Sequence, residues 1–129
     1  MAQPAFGLLL QRLREQRGLS LRELGQLADI DHAYIYRLEG GDKESPSDEV
    51  LTKLVRALKA GKREAEMLRY LAKQPLVDPG LVEHVIADST VTFEEFCSVA
   101  GMAFRGTARS DYGKLVERVR RILQDENGN

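Results

Sequence analysis

The sequence predicts an all-α protein, in which five helices are followed by a smaller group of three. Apolar residues recur at the i, i+3, i+4, i+7 spacing of a helix, as Phe6, Leu9, Leu10 and Leu13 do. Capping residues precede several of these segments, and the apolar–polar alternation typical of strands is nearly absent. Together these observations favour helices along the whole chain.

Capping signals place the first five helices. Gly18 ends the first, and Ser20 with Glu23 has the spacing of a capping box that starts the second. Asp31 can cap the third. The five helices are therefore predicted at residues 6–16, 21–28, 32–39, 46–58 and 62–73.

Two prolines separate these helices from the rest of the chain. Pro75 and Pro79 lie within five residues and stop helix propagation, so we predict two domains, residues 1–74 and 75–129. Thr92 and Ser110 can cap the last two helices. The second domain is predicted to contain helices at residues 81–87, 93–104 and 111–124, and the polar tail beyond them is expected to fray.

Composition sets limits on the class of protein. The net charge is −1, with 13 Lys/Arg against 11 Asp/Glu in residues 1–73 and 6 against 9 in residues 74–129, so charge alone does not indicate nucleic acid. No apolar run approaches the roughly 20 residues of a membrane span, and the N-terminus lacks the basic start of a signal peptide. The single cysteine, Cys97, allows no intramolecular disulfide, so we expect a cytoplasmic protein with Cys97 in its core.

The second and third predicted helices form a helix-turn-helix pattern. A helix pair of this size can place its second helix in the major groove of DNA. Ala28 is small where we expect the two helices to cross most closely. Apolar residues fall where the helices must pack, at Leu24, Ala28, Ile30, Ile35 and Leu38.

Residues 6 to about 60 resemble the Cro-like, xenobiotic-response-element (XRE) class of helix-turn-helix repressors. The matching positions are Leu13-Arg14-Glu15-Gln16-Arg17-Gly18-Leu19-Ser20, Glu23-Leu24, Ala28, Ile30, Tyr34-Ile35, Arg37-Leu38-Glu39-Gly40, Pro46-Ser47 and Leu51. Glycine is usual where this chain has Asp29, so the turn is expected to be tighter or differently hydrogen-bonded. The resemblance implies that Arg14 pairs with Glu39 and locks the first helix to the third; the alternative is that both groups contact phosphate or water.

The resemblance also implies which side chains meet base edges. The base-reading positions map onto His32, Ala33 and Arg37, with Tyr36 beside them. Arg37 can bind O6 and N7 of guanine together, although a solvated arginine is the alternative. His32 can reach a base or a phosphate, and no nearby partner supports a metal site there.

Phosphate contacts are expected around this helix pair. Arg22 stands at the start of the second helix, and Lys43 lies in the loop after the third. Ser45 and Ser47 can donate from the start of the fourth helix. Tyr34 either packs inside the domain or reaches a phosphate.

A second, sparser set of positions lies in the C-terminal third: Gly80-Leu81, Ile86-Ala87-Asp88, Thr90, Phe96, Phe104-Arg105-Gly106 and Ile122-Leu123. With these positions the C-terminal third resembles the dimerisation domain of radiation/desiccation-response repressors that ImmA/IrrE-type zinc metallopeptidases cleave. The resemblance implies a scissile bond between Phe104 and Arg105; the alternative is that this segment is only a helix-ending turn. The apolar stripe either folds back on the first domain or, as we expect, forms a dimer interface. The expected interface residues are Phe96, Tyr112, Leu115, Val116, Val119 and Ile122.

Patterns of catalytic residues are missing from the sequence, so we expect neither an enzyme nor a metal or cofactor site. The expected function is a homodimeric repressor on a pseudo-palindromic double-stranded DNA operator, without membrane association; activation stays open. The alternative is an antitoxin that autoregulates its operon and neutralises a toxin protein. A hydrolase or ligand-sensing protein is a further alternative, which the missing site chemistry disfavours.

Overall fold

A computed structural model describes residues 3–41, 45–103 and 111–127. All regular structure in these ranges is helical, which confirms the all-α prediction. The helices are α1 (Ala5–Gln16), α2 (Leu21–Ala28), α3 (His32–Gly40), α4 (Asp48–Leu58), α5 (Lys62–Lys73), α6 (Pro79–Ala87), α7 (Phe93–Ala103) and α8 (Tyr112–Asn127). None of the helices in the described ranges is long and apolar enough to cross a membrane.

Local capping chemistry accounts for where α2 and α3 begin. The Ser20 Oγ accepts from the Glu23 amide at 3.0 Å, and the Ser20 amide donates to Glu23 Oε1 at 2.8 Å. This capping box satisfies two amides that the first turn leaves without partners. The Asp31 carboxylate accepts from the Ala33 amide at 3.0 Å and starts α3 in the same way.

Several helix ends differ from the sequence prediction. α4 starts two residues later than predicted, at Asp48, because Ser47 is its N-cap and the Ser47 hydroxyl accepts from the Val50 amide. α6 starts two residues early, at Pro79, because proline needs no amide partner in a first turn. α8 starts after Asp111, whose carboxylate accepts from the Lys114 amide at 3.3 Å; Ser110, the expected cap, lies outside the described residues. α8 also continues to Asn127, so the tail expected to fray after residue 124 is helical for three further residues.

The chain divides into two compact units, unit 1 (Met1–Pro79) and unit 2 (Gly80–Asn129). In unit 1, α3 packs against α1 and α2, α4 packs against α2, and α5 packs against α1 and α4. The core of unit 1 is largely aliphatic because each of these helices contributes one apolar stripe. Its largest fully buried side chains are Leu9, Leu10, Leu24, Ile35, Leu51, Leu54, Leu58, Met67, Leu68 and Leu71.

Unit 2 is organised around the packing of α7 against α8. α6 approaches the start of α8, where the His84 and Tyr112 ring centroids are 6.5 Å apart. Cys97, expected in the core, is half-buried. The buried apolar side chains of this unit include Leu81, Val82, Val85, Phe96, Val99, Val116 and Val119.

Candidate nucleic-acid interface

One side of α3 faces solvent and carries the four side chains expected to read bases. His32, Ala33, Tyr36 and Arg37 are all exposed, and Tyr36 keeps 66% of its surface accessible. The opposite side of the same helix, with Ile35, is buried in the core. Residues four apart lie side by side on a helix, so these four side chains form one continuous patch. We call it the recognition face.

Arg37 projects from the recognition face with a supporting partner. Its Cζ lies 5.8 Å from the centroid of the Tyr34 ring, within range of a cation–π contact. Among the residues that the structure describes, it forms no ion pair with a carboxylate. Half-buried Tyr34 therefore packs beneath the guanidinium, and within residues 3–41, 45–103 and 111–127 no acceptor occupies its N–H donors.

An ion pair joins α1 to the end of α3. Arg14 Nε donates to Glu39 Oε2 at 2.7 Å, and Arg14 Nη2 donates to Glu39 Oε1 at 3.1 Å. A third donor of Arg14, Nη1, reaches the Leu19 carbonyl at 2.9 Å. Glu39 is 5% exposed, and its hydrogen bonding to Arg14 outweighs burial and raises the pKa of the guanidinium. Arg14 and Glu39 therefore pair as expected, and neither side chain is part of the recognition face.

Close backbone contact also holds α3 against α1. A Cβ on Gly7 would lie only 2.1 Å from the Glu39 carbonyl oxygen, so only glycine fits at this crossing. Gln3 Nε2 donates to the same carbonyl at 3.0 Å, and it also donates to Gln11 Oε1 at 2.7 Å. The C-terminal turn of α3 is therefore fixed by backbone packing as well as by charge.

The turn between α2 and α3 depends on Gly25 and Asp29. A Cβ on Gly25 would lie 2.7 Å from the Ile30 carbonyl oxygen and 3.2 Å from the His32 amide nitrogen, so glycine permits the close approach of α2 to the start of α3. Asp29 adopts the left-handed conformation, with φ 58° and ψ 49°. The Ile30 amide then closes the turn onto the Gly25 carbonyl at 3.0 Å. Asp29 thus takes the backbone conformation that glycine adopts most easily.

The residues expected to contact phosphate differ in whether their hydrogen-bond donors are still available. Arg22 is exposed at the start of α2 and shares a groove of about 380 Å³ with Gln26 and His32. The Ser45 hydroxyl donates to the Ala72 carbonyl at 3.2 Å, so its proton is already used inside unit 1. The Ser47 hydroxyl accepts from the Val50 amide at 3.2 Å and keeps its own proton for a ligand. Lys43 lies outside the described residues.

Unit 2 requires a correction to the expected dimer interface. Phe96, Val116 and Val119 are already buried within the single chain, because α8 packs on α7. They cannot line a contact between two folded copies. Tyr112 and Leu115 are half-buried, and Ile122 is 44% exposed. Only these three expected interface residues remain available to a partner.

A polar network in unit 2 was missed by the sequence analysis. Arg120 Nε donates to Glu95 Oε2 at 3.0 Å, and Arg120 Nη2 donates to Thr90 Oγ1 at 3.0 Å. The other Glu95 oxygen accepts from the Thr92 amide and completes the capping box of α7. The Thr92-x-x-Glu95 spacing was a readable signal for the cap. The contact of Glu95 with Arg120 joins α7 to α8. Because the two residues are 25 positions apart, no local sequence pattern indicates that they meet.

The expected cleavage site, Phe104–Arg105, lies outside the described residues. Residues 5–68 match the model of a helix-turn-helix domain family, in agreement with the resemblance to XRE-type domains. The search of curated proteins and the search of solved structures each returned no match. Unit 1 therefore contains a helix-turn-helix domain, which points to a DNA-binding regulator.

Proposed function

We propose that this protein is a homodimeric transcriptional repressor that reads a pseudo-palindromic operator with the recognition face of α3. The observation that carries the proposal is the exposed Arg37, which pairs with no carboxylate among the described residues and lies on the outer side of a helix whose inner side is buried. An α-helix with its side chains is about 10–12 Å in diameter and fits the major groove, which is about 12 Å wide.

The chemistry of the recognition face suits base edges. The planar guanidinium of Arg37 can bind O6 and N7 of guanine through two parallel hydrogen bonds. The contact of the Arg37 guanidinium with the Tyr34 ring limits the freedom of the Arg37 side chain before binding, which lowers the entropy lost on contact. Ala33 and Tyr36 offer apolar surface to a thymine methyl group, and His32 at the helix start can reach a base or a phosphate.

Rigid presentation of α3 supports the same function. Arg14, Gly7 and Gln3 all hold the last turn of α3 against its neighbours. A recognition element that is fixed before binding needs little reorganisation on contact with DNA. Arg22 and Ser47 then supply contacts to phosphate that set the orientation of the domain on the duplex.

The dimer is assigned to one side of α8. Leu115 and Ile122 are seven residues apart, hence on the same side of the helix, and neither is fully buried in the single chain. Tyr112 extends this side towards the start of α8. Pairing of two such helices would shield these side chains from water. A two-fold dimer places two recognition helices in successive major grooves, about 34 Å apart.

Proteolytic inactivation at Phe104–Arg105 fits this arrangement. The bond lies in the segment between α7 and α8, and these helices share the core formed by Phe96, Val116 and Val119. A cut there separates α8 from the segment that keeps it close to α7. After the cut, α8 and its dimer surface would be held to the rest of the chain only by non-covalent packing on α7.

Selection from a random duplex library with the full chain tests the proposal. We expect enriched sites with two inverted half-sites whose centres are one DNA turn apart. The double variant Leu115→Asp/Ile122→Asp should sediment as a monomer and enrich no paired sites. The control Lys114→Asp/Arg121→Asp changes two exposed residues about 100° further round α8 and should remain a dimer. Failure of the wild-type chain to enrich any site would refute the proposal. Tight co-purification with a small second protein, without a homodimer, would favour the antitoxin alternative.

A further inference from the structure

A groove of about 580 Å³ lies where three helices of unit 1 end. Its lining comes from Arg17, which caps the C-terminus of α1, and from the C-terminal ends of α2 and α4. We call it the basic groove. Its lining residues are Arg17, Leu27, Ala28, Asp29, Lys53, Arg56, Ala57 and Lys59.

The basic groove carries an excess of positive charge. Four of its side chains are cationic and only Asp29 is acidic. Arg17, Arg56 and Lys59 form no ion pair with any residue in the described ranges, and Lys53 has only a loose contact of 3.7 Å with exposed Glu49. The three helix C-termini contribute roughly half a negative charge each, which favours cations here. Together the three helix C-termini offset only about half of the excess positive charge of the side chains, so the groove stays positive.

An exposed apolar side chain lies among these cations. Leu27 keeps 62% of its surface accessible, although most leucines of unit 1 are buried. Ala28 and Ala57 flank it and give the groove a small apolar floor. Leu27 is thus a large aliphatic side chain that is exposed to water in a groove lined by cationic side chains. It offers a partner one apolar contact, and the cations offer charged contacts beside it.

We propose that the basic groove binds an acidic segment of a partner protein that inserts one apolar side chain against Leu27. The carboxylates of the segment would pair with Arg17, Arg56 and Lys59. Arginine and lysine on the rim would speed the encounter, and contact with Leu27 would set the position of the segment. A nucleic acid fits less well because a phosphate backbone offers no aliphatic side chain to place against Leu27.

The basic groove contains no residue of α3. A segment bound there leaves His32, Ala33, Tyr36 and Arg37 uncovered. The proposal is therefore independent of DNA binding, and the failure of one does not imply the failure of the other. Where both hold, the protein can recruit its partner while it occupies an operator.

The test is an NMR titration of the full ¹⁵N-labelled chain with a synthetic twelve-residue peptide of aspartate and glutamate around a central leucine–phenylalanine pair. We expect the largest amide shifts at Leu27, Ala57 and Lys59. A second peptide with the central pair replaced by serines should bind at least tenfold more weakly. A random-sequence DNA duplex and a single-stranded oligonucleotide are titrated in parallel.

Variants separate the groove from general charge attraction. Leu27→Ser and the pair Arg56→Glu/Lys59→Glu should each weaken peptide binding at least tenfold, whereas Leu76→Ser and Arg69→Glu, exposed elsewhere in unit 1, should leave it unchanged. All five substituted positions are exposed, so far-ultraviolet circular dichroism should match the wild type. Equal affinity for the serine peptide, shifts centred outside the groove, or preferential binding of either nucleic acid at the groove would overturn the proposal.

Discussion

Arg14 and Glu39 are 25 residues apart and meet in a bidentate ion pair, with Arg14 Nε–Glu39 Oε2 at 2.7 Å and Arg14 Nη2–Glu39 Oε1 at 3.1 Å. Both side chains are largely withdrawn from water. Removing one partner leaves the other charge without compensation, and this is much more costly than the net contribution of the intact pair. The pair therefore fixes how α3 sits on α1.

We expect Glu39→Gln to lower the free energy of unfolding by about 3 kcal/mol, because the Arg14 guanidinium would lose its counter-charge. Urea denaturation measures this change. The control is Glu15→Gln, which removes an exposed partner of Arg12 at 3.4 Å and should cost less than about 1 kcal/mol. Similar losses in the two variants would show that the buried pair has no special role.

Gly7→Ala should be strongly destabilising. The added Cβ would lie 2.1 Å from the Glu39 carbonyl oxygen, so α1 and α3 would have to separate. We expect a loss of at least about 2 kcal/mol in the free energy of unfolding. Gly40→Ala, where a Cβ would meet nothing within 4 Å, should instead stabilise by about 0.5–1 kcal/mol through helix propensity. Thermal unfolding measures the change in stability of both variants. Changes of the same sign in the two variants would refute this interpretation.

Two aspartates on either side of the α2–α3 turn should respond in opposite ways. Asp29→Gly relieves a left-handed backbone conformation and should stabilise unit 1 by about 0.5 kcal/mol. Asp31→Ala removes the acceptor for the Ala33 amide and should destabilise it by about 1 kcal/mol. Chemical denaturation measures both. A destabilising Asp29→Gly would mean that the Asp29 side chain contributes more than its backbone strain costs.

Asp88 is expected to make the stability of unit 2 depend on pH. The side chain and then the backbone amide of Thr90 donate to its carboxylate and lower its pKa from 3.8. A carboxylate with a lowered folded-state pKa stabilises the fold above its unfolded pKa, and this contribution is lost as the pH falls through the folded value. Thr90→Val should raise the pKa of Asp88, which an NMR titration measures. The free energy of unfolding of the variant should also fall less steeply as the pH is lowered. Thr52→Val, on α4, should change neither.

Helix positions were largely predictable because their signals are local. Ser20, Asp31 and Gly18 mark helix ends through contacts within a few residues, and the corresponding ends of the structure agree with the prediction. Asp111 shows the limit of this approach, since two adjacent polar residues can each serve as a cap. The pattern alone did not distinguish Ser110 from Asp111.

Contacts distant in sequence were harder to predict. The apolar stripe of α8 was recognised, but periodicity does not say whether a stripe packs within its own chain or against a copy; Val116 and Val119 pack within it. Gly7 gave no signal because its role depends on the Glu39 backbone, which is 32 residues further along the chain. The Arg14–Glu39 pair was anticipated only through family resemblance, and the analogous Arg120–Glu95 contact was missed because the resemblance of the C-terminal third implied no such pair.

Fluorescence anisotropy with Arg37→Ala on a selected operator tests the central claim, that the outer side chains of α3 read bases. We expect a loss of about 1–3 kcal/mol in binding free energy on the operator, little change on a scrambled duplex, and relaxed preference at one base pair per half-site. Arg69→Ala, with the same loss of charge on α5, should bind the operator as the wild type does. Equal losses for Arg37→Ala on operator and scrambled duplex would contradict the claim and assign Arg37 to the phosphate backbone.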